Sequence, residues 1–350
     1  MIDAFASAPW YVDHIAPTWL ALPPEHRGRF YVSHLASAAA HGLPDVHVRR
    51  LPDDGRPILV VSYGDLRAAQ MAGRQMVALG QHGAGQSYSS DHAAYPGGQG
   101  QGRASLFLVP NRHAEARTRQ AYPRARVELV GCPKLDTLPT KARAAEPVIA
   151  FSFHWSSTTI APEMISAWDH YRTAIPAIAR HRTVIGHAHP RYVATLRRWY
   201  KGAGIEVIPS FADVLARADV YVCDNSSSMF EFASTGRPVV VLNTPQYRRS
   251  VEHGLRFWEA SGVGVNCDDR ADLDDAIGRA LEDGPATRAA REAALDIVYA
   301  PRRGGAQLAA SALVDWAGST VAHSDRNVRL TQVQRFRGDR DRRPVASRGA

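Results

Sequence analysis

The sequence has little cysteine. Cys132, Cys223 and Cys267 are widely scattered. Their spacing fits no metal pattern, so the thiols are read as reduced and the compartment as cytoplasmic. No run of about 18 apolar residues occurs, so no membrane-spanning helix is expected. Met1 to Pro17 contains neither a basic region nor a long apolar core, so no secretory signal is read there. No short internal repeat is present. No Asp-x-Asp falls at the end of an expected strand, and Asp53-Asp54, Asp268-Asp269 and Asp274-Asp275 fall in turns or a helix. An obligatory divalent metal is therefore not expected, nor is any cofactor. The net charge of +8 is concentrated at one end: residues 325–350 carry eight arginines against three aspartates, which leaves +5 there. The rest is nearly neutral and shows no footprint for nucleic acid. The tail itself, low in apolar residues, reads as disordered and suited to an anionic membrane surface or to solvent alone.

What is present is a soluble globular composition, 45% hydrophobic and 22% charged, over 350 residues. That length suggests two domains. Short apolar runs alternate with helical patterns, which implies α/β architecture with parallel sheets covered on both faces. Residues 1–56 are irregular in pattern apart from a short helix at Ser33–His41. Strands are expected at 58–62, 75–79, 105–109 and 126–130. Helices are expected at 65–73 and 111–121, the latter capped by Asn111. Leu138–Pro147 reads as a linker. Strands then follow at 148–153, 183–188, 205–208, 220–223, 239–242 and 262–265. Helices are expected at 162–180 (interrupted near Pro176), 192–201, 211–217, 229–233, 271–281, 286–298 and 303–316. The organisation is a first Rossmann-like domain over 1–140, a second over 147–300, a helix at 301–318 returning to the first, and the tail at 325–350.

Four places could carry chemistry, and each follows an expected strand. The first is Gln81-His82-Gly83-Ala84-Gly85-Gln86-Ser87. Its glycines let a ligand approach the backbone, and His82 can act as a base near neutral pH. It is not a dinucleotide fingerprint, because the third glycine and the ribose carboxylate are missing. The second is His187-Ala188-His189-Pro190-Arg191. Two histidines on one strand face suit a metal, while His189 beside Arg191 at a helix start suits a phosphate. The third is Asp224-Asn225-Ser226-Ser227-Ser228 with Glu231, a polar elbow between buried strand and helix. Backbone N–H groups and hydroxyls there suit an anion, although one serine could simply cap the helix. The fourth, Gly131-Cys132-Pro133-Lys134-Leu135-Asp136, could line the cleft or simply turn the chain, and the turn is the favoured reading.

In order, these motifs resemble the CDP-glycerol glycerophosphotransferases of teichoic acid and capsule synthesis. The resemblance runs from about Leu79 to Leu242, most specifically from His187 onward. It implies a GT-B-like fold, two Rossmann-like domains whose parallel sheets face a central cleft. It also implies that His82 is the general base, His189 contacts the donor pyrophosphate, Ser226 and Ser227 bind donor phosphate, and Glu231 faces the ribose. The family's Trp-His-Gly-Thr-Pro-Leu-Lys is replaced here around His82, and the lysine is absent.

The expected reaction moves a glycerol phosphate or related polyol phosphate from a CDP-linked donor to a glycan, polymer or protein hydroxyl. Arg191, Asp224, Ser226, Ser227, Ser228 and Glu231 form the donor side. Gly83, Gly85, Gln86 and Ser87 line the acceptor side. A GT-B glycosyltransferase using a UDP- or GDP-sugar, an epimerase of the same fold, and a non-catalytic nucleotide- or glycan-binding module are the alternatives. The expected location is the cytoplasm, at the inner face of the membrane where the tail engages it.

Overall fold

The computed structural model describes residues 1–84, 104–139, 141–142, 144–156, 165–247 and 258–319. Gly85, Gln86, Ser87 and the tail at 325–350 lie outside them. In chain order the first domain comprises β1 (Ile2–Ala6), α1 (Pro9–Ala21), β2 (Arg27–Val32), β3 (Val46–His47), β4 (Ile58–Val60), α2 (Tyr63–Met71), β5 (Val77–Gly80), β6 (Leu106–Val109), α3 (Arg112–Ala121) and β7 (Arg126–Leu129). The second comprises β8 (Val148–Phe153), the single turns α4 (Trp168–Tyr171) and α5 (Ile175–Ile178), β9 (Thr183–Ala188), α6 (Pro190–Gly202), β10 (Glu206–Val207), α7 (Phe211–Arg217), β11 (Val220–Cys223), α8 (Ser228–Ala233), β12 (Val239–Leu242), β13 (Val265–Cys267), α9 (Leu273–Glu282) and α10 (Pro285–Val298). A last helix, α11, spans 305–319.

Each domain holds one parallel sheet, ordered β3-β2-β1-β4-β5-β6-β7 in the first and β10-β9-β8-β11-β12-β13 in the second. In both, the chain winds outward on one side and then restarts on the other, so the order reverses between β1 and β4 and between β8 and β11. The loops leaving those strand pairs diverge and open a crevice at the carboxyl ends, where α/β sheets receive ligands. The central strands are apolar runs with every residue buried, Val-Tyr-Val-Cys in β11 and Val-Val-Val-Leu in β12. Burying each such side chain contributes about 1.5–3 kcal/mol.

Three sequence expectations need correction. Residues 1–56 are not irregular: β1 and α1 form there, and both pack into the first core. Pro9 stands at the helix start, Pro17 lies inside it, and its burial runs unbroken from Ile15 to Trp19, so α1 shows no helical period. Residues 33–41 form turns and a short 3-10 segment at Ala39–His41 rather than a helix. The long helix expected around Pro176 is two single turns, α4 and α5. Asn111 does cap α3, accepting from the Ala114 N–H at 2.8 Å.

The backbone passes between the domains twice. The first pass follows β7, and Asp219 fixes it to the second domain by accepting from Lys141 Nζ (2.5 Å), Ala144 N and Val148 N. The second follows α10, where Ala300 N donates to Pro110 O. The passes touch: Gly131 has φ +73°, and a side chain there would strike the Pro301 carbonyl. Asp136 accepts from Gly304 N and Ala306 N, both at 2.8 Å, capping α11. Helix α11 then buries Ala309, Ala310, Leu313 and Trp316 in the same cluster as β1.

Candidate active site

The two crevices face each other, and the residues at their lips meet. From the first domain come His82, just beyond β5, and Tyr11 and His14 on α1. The His82 ring lies edge-on to Tyr11 (centroids 5.3 Å) and to His14 (5.9 Å). His82 Nδ1 is 2.6 Å from the carbonyl oxygen of Val61, the residue after β4. A carbonyl only accepts, so Nδ1 carries the proton and Nε2 is left with a lone pair. The residue is exposed in the cleft, but the protein packed around its ring displaces part of its water, and this lowers its pKa. Gly83 has φ +78°, and a Cβ on it would come within 2.8 Å of Ser227 Oγ. The glycine therefore lets the first domain's loop lie directly on the second domain's serine elbow.

From the second domain come His154, His189 and that elbow. His189 is the N-cap of α6, and its Nδ1 accepts from the Arg191 N–H at 3.2 Å. Its proton is therefore on Nε2, the opposite tautomer to His82. Burial, then the charges of His154 and Arg191, push its pKa down to about 3. It follows that His189 stays neutral from pH 8 down to about pH 4, and a two-dimensional 1H–15N spectrum of the ring should show no titration over that range. A midpoint near 6 would contradict the burial described here. Arg191 is exposed, with its guanidinium 5.0 Å from the Trp155 ring centroid.

Ser226, Ser227 and Ser228 are half-buried at the start of α8. Ser228 Oγ is 2.7 Å from Ser226 Oγ and 2.9 Å from Tyr221 Oη. Ser227 is the N-cap residue but makes no capping bond through its side chain. Helix α8 has only six residues, so hydroxyls and first-turn N–H groups, not a long dipole, supply its field for an anion. Asp224 is fully buried and holds its own domain together. It accepts from His154 N (2.8 Å), Ala167 N (3.0 Å) and Ser166 Oγ (3.1 Å), and burial raises its pKa.

Glu231 points across the domain boundary. Its Oε2 receives Lys134 Nζ at 2.6 Å, and its Oε1 lies 3.8 Å from His14 Nε2. Burial works against the Lys134 ammonium, but Glu231 outweighs it and the lysine pKa is raised. The Gly131–Asp136 segment is thus more than a turn: Gly131 permits the crossing, Lys134 enters the cleft and Asp136 caps α11. His187 is turned away, its Nδ1 2.7 Å from Ile208 O. Among the described residues no three His, Cys, Asp or Glu side chains converge as metal ligands.

His14 and His154 belong to this site and were not singled out from the sequence, whereas Lys134 lay within the named Gly131–Asp136 segment without a role of its own. His154 had a signal, a polar residue directly after the apolar strand β8. His14 had none, and nothing local marked the charge of Lys134 as functional, because their partner Glu231 is remote in the chain.

Residues 161–307 match the family model described as CDP-glycerol:poly(glycerophosphate) glycerophosphotransferase. The resemblance read from the motifs is thus met by that family's model over the second domain. No curated protein matches the chain. Among solved structures, the wall teichoic acid polymerase TagF with CDPG matches at 11% identity, covering 91% of this chain and 89% of its own, with a TM-score of 0.62. A Listeria monocytogenes protein assigned as a UDP-N-acetylglucosamine 2-epimerase matches at 14%, covering 92% and 96%, with a TM-score of 0.60. MnaA of S. aureus with UDP matches at 13%, covering 92% and 96%, with a TM-score of 0.59. The chain has the GT-B-like fold: two Rossmann-like α/β domains with parallel sheets. Among the described residues no helix is long and apolar enough to cross a membrane.

Proposed function

We propose that this chain is a transferase that moves glycerol phosphate, or a related polyol phosphate, from a CDP-linked donor to a hydroxyl of a glycan or polymer. The observation that carries this reading is the pair of opposed tautomers. His82 offers a lone pair and His189 offers an N–H, each fixed by a backbone partner on its own domain. The acceptor oxygen forms a bond to the distal phosphorus of the donor, and its proton passes to His82 Nε2. The bridging P–O bond breaks and CMP leaves. Val61 O supports the imidazolium through Nδ1–H, and Glu231 favours its charge.

Charge growing on the leaving phosphate is met by His189 Nε2–H, Arg191 and the Ser226–Ser228 hydroxyls. Donors already aimed at that charge are the usual large contribution to such a step. Glu231 meets the donor ribose by exchanging part of its contact with Lys134, and Asp224 keeps the elbow in place. No obligatory metal or cofactor has a part in this scheme. Gly83 borders the acceptor. A cytoplasmic enzyme touching the inner membrane face through its basic tail suits a polymer acceptor.

The test is a thermal-shift and product panel of CDP-glycerol, CDP-ribitol, UDP-sugars and GDP-sugars. Stabilisation by the CDP compounds and release of CMP are expected. Release of UDP or GDP would overturn the reading in favour of glycosyl transfer.

A further inference from the structure

Helix α6 begins at the donor histidine and leads away from it. Val193, Leu196 and Tyr200 face the core, while Arg191, Arg197, Arg198 and Lys201 are exposed. The helix contains no acidic residue. Acids on neighbouring elements are already engaged, Glu206 with Arg217 and Asp274 with Arg182. From Arg191 to Lys201 the basic face runs about 15 Å. Alongside it lies an open groove of about 640 Å3 lined by Pro176, Thr195, Arg198, Trp199, Gly202 and Ala203. Trp199 is held rigid by edge-to-face contacts with Trp168 (4.7 Å) and Tyr200 (5.6 Å).

We infer that this groove is a remote binding site for a polyol-phosphate chain, the polymer acceptor or product itself. The identity of the chain rests on the transfer reading above. The chemistry of the groove matches a repeating polyol phosphate. A fixed indole offers its face to carbon-bound hydrogens, and arginine and lysine take successive phosphodiesters. Its outward face carries charge with only the small Ala194 as an exposed aliphatic side chain, which suits a hydrophilic polyanion better than insertion into lipid. The Arg191 end of the face adjoins the donor site, so a chain held on α6 keeps its reactive end close to the cleft and raises its effective concentration there.

The experiment compares the full chain with its Arg198→Glu/Lys201→Glu variant. The basic tail is the same in both, so the difference isolates α6. Binding of an end-labelled synthetic poly(glycerol phosphate) is measured by anisotropy across a salt series, with phosphatidylglycerol vesicles as a second probe. The variant is expected to bind the polymer at least about tenfold more weakly, with a shallower salt dependence. Its turnover of CDP-glycerol onto a short uncharged acceptor should be unchanged. Equal polymer binding by both proteins overturns the inference, as does loss of vesicle binding alone, which would make α6 a membrane face. If the polymer result is as expected but no CDP-linked donor is turned over, the site stands and the transfer reading fails.

Discussion

His82→Ala is expected to lower kcat for transfer by ~10²–10⁴, the usual worth of a positioned general base. Affinity for the donor nucleotide should stay near wild type, because the donor groups lie on the opposite domain. A drop confined to kcat is the signature of a group acting on the reacting oxygen. The pH profile gives a second reading of the same residue. Partial desolvation by the protein packed around it holds the folded-state pKa of His82 below the ordinary value near 6.5. The base form therefore persists through neutral pH, and kcat/KM falls on the acid side only once pH drops through that lowered value. In His82→Ala this acid limb should vanish together with the rate. Full activity in the variant would remove His82 from the reaction. An acid limb centred well above 6.5 would show that the ring is not desolvated as described.

Glu231→Ala is expected to cost about 3–5 kcal/mol of stability, since it leaves the enclosed Lys134 ammonium without its partner. Both side chains are largely buried, at 4% and 12% exposure, so solvent does little to soften the loss. The diagnostic comparison is the double variant Lys134→Met/Glu231→Leu. Replacing a buried pair with apolar residues of similar size is often close to neutral, so its denaturation midpoint should return towards wild type. Donor binding should not recover with it, because the carboxylate proposed to face the ribose is still missing. If Glu231→Ala unfolds at the wild-type denaturant concentration, the cross-domain pair contributes nothing to the fold. If the double variant binds donor normally, Glu231 has no place at the ribose.

The second domain was the more legible half of the sequence. Helix α7 and the strands β8, β9, β11 and β12 are present at the expected residues, because apolar runs bounded by turn residues leave little choice of structure. His82, His189 and the serine elbow stood out because each ends such a run. Helix α1 was hidden by its two prolines and near-continuous burial, and with it His14. Lys134 was hidden for another reason: its partner Glu231 is 97 residues away, and nothing local announces an ion pair formed only when two domains meet. The order reversals between β1 and β4 and between β8 and β11 are likewise properties of strand order, which hydropathy does not encode.

The two fastened backbone passes have a mechanical consequence. Asp136, on the first pass, grips Gly304 and Ala306 at the end of the second. Two connections bound side by side act as a pivot with one axis, whereas a single linker would allow free swivelling. An opening of the cleft about that axis would carry the His189 and serine lip away from His82 along one arc, and closing would retrace it. Closing would bring Gly83 back over Ser227 and Lys134 back to Glu231 in the same register. On the transfer reading proposed above, such a motion would admit and release polymer between turnovers while the two histidines regain their alignment.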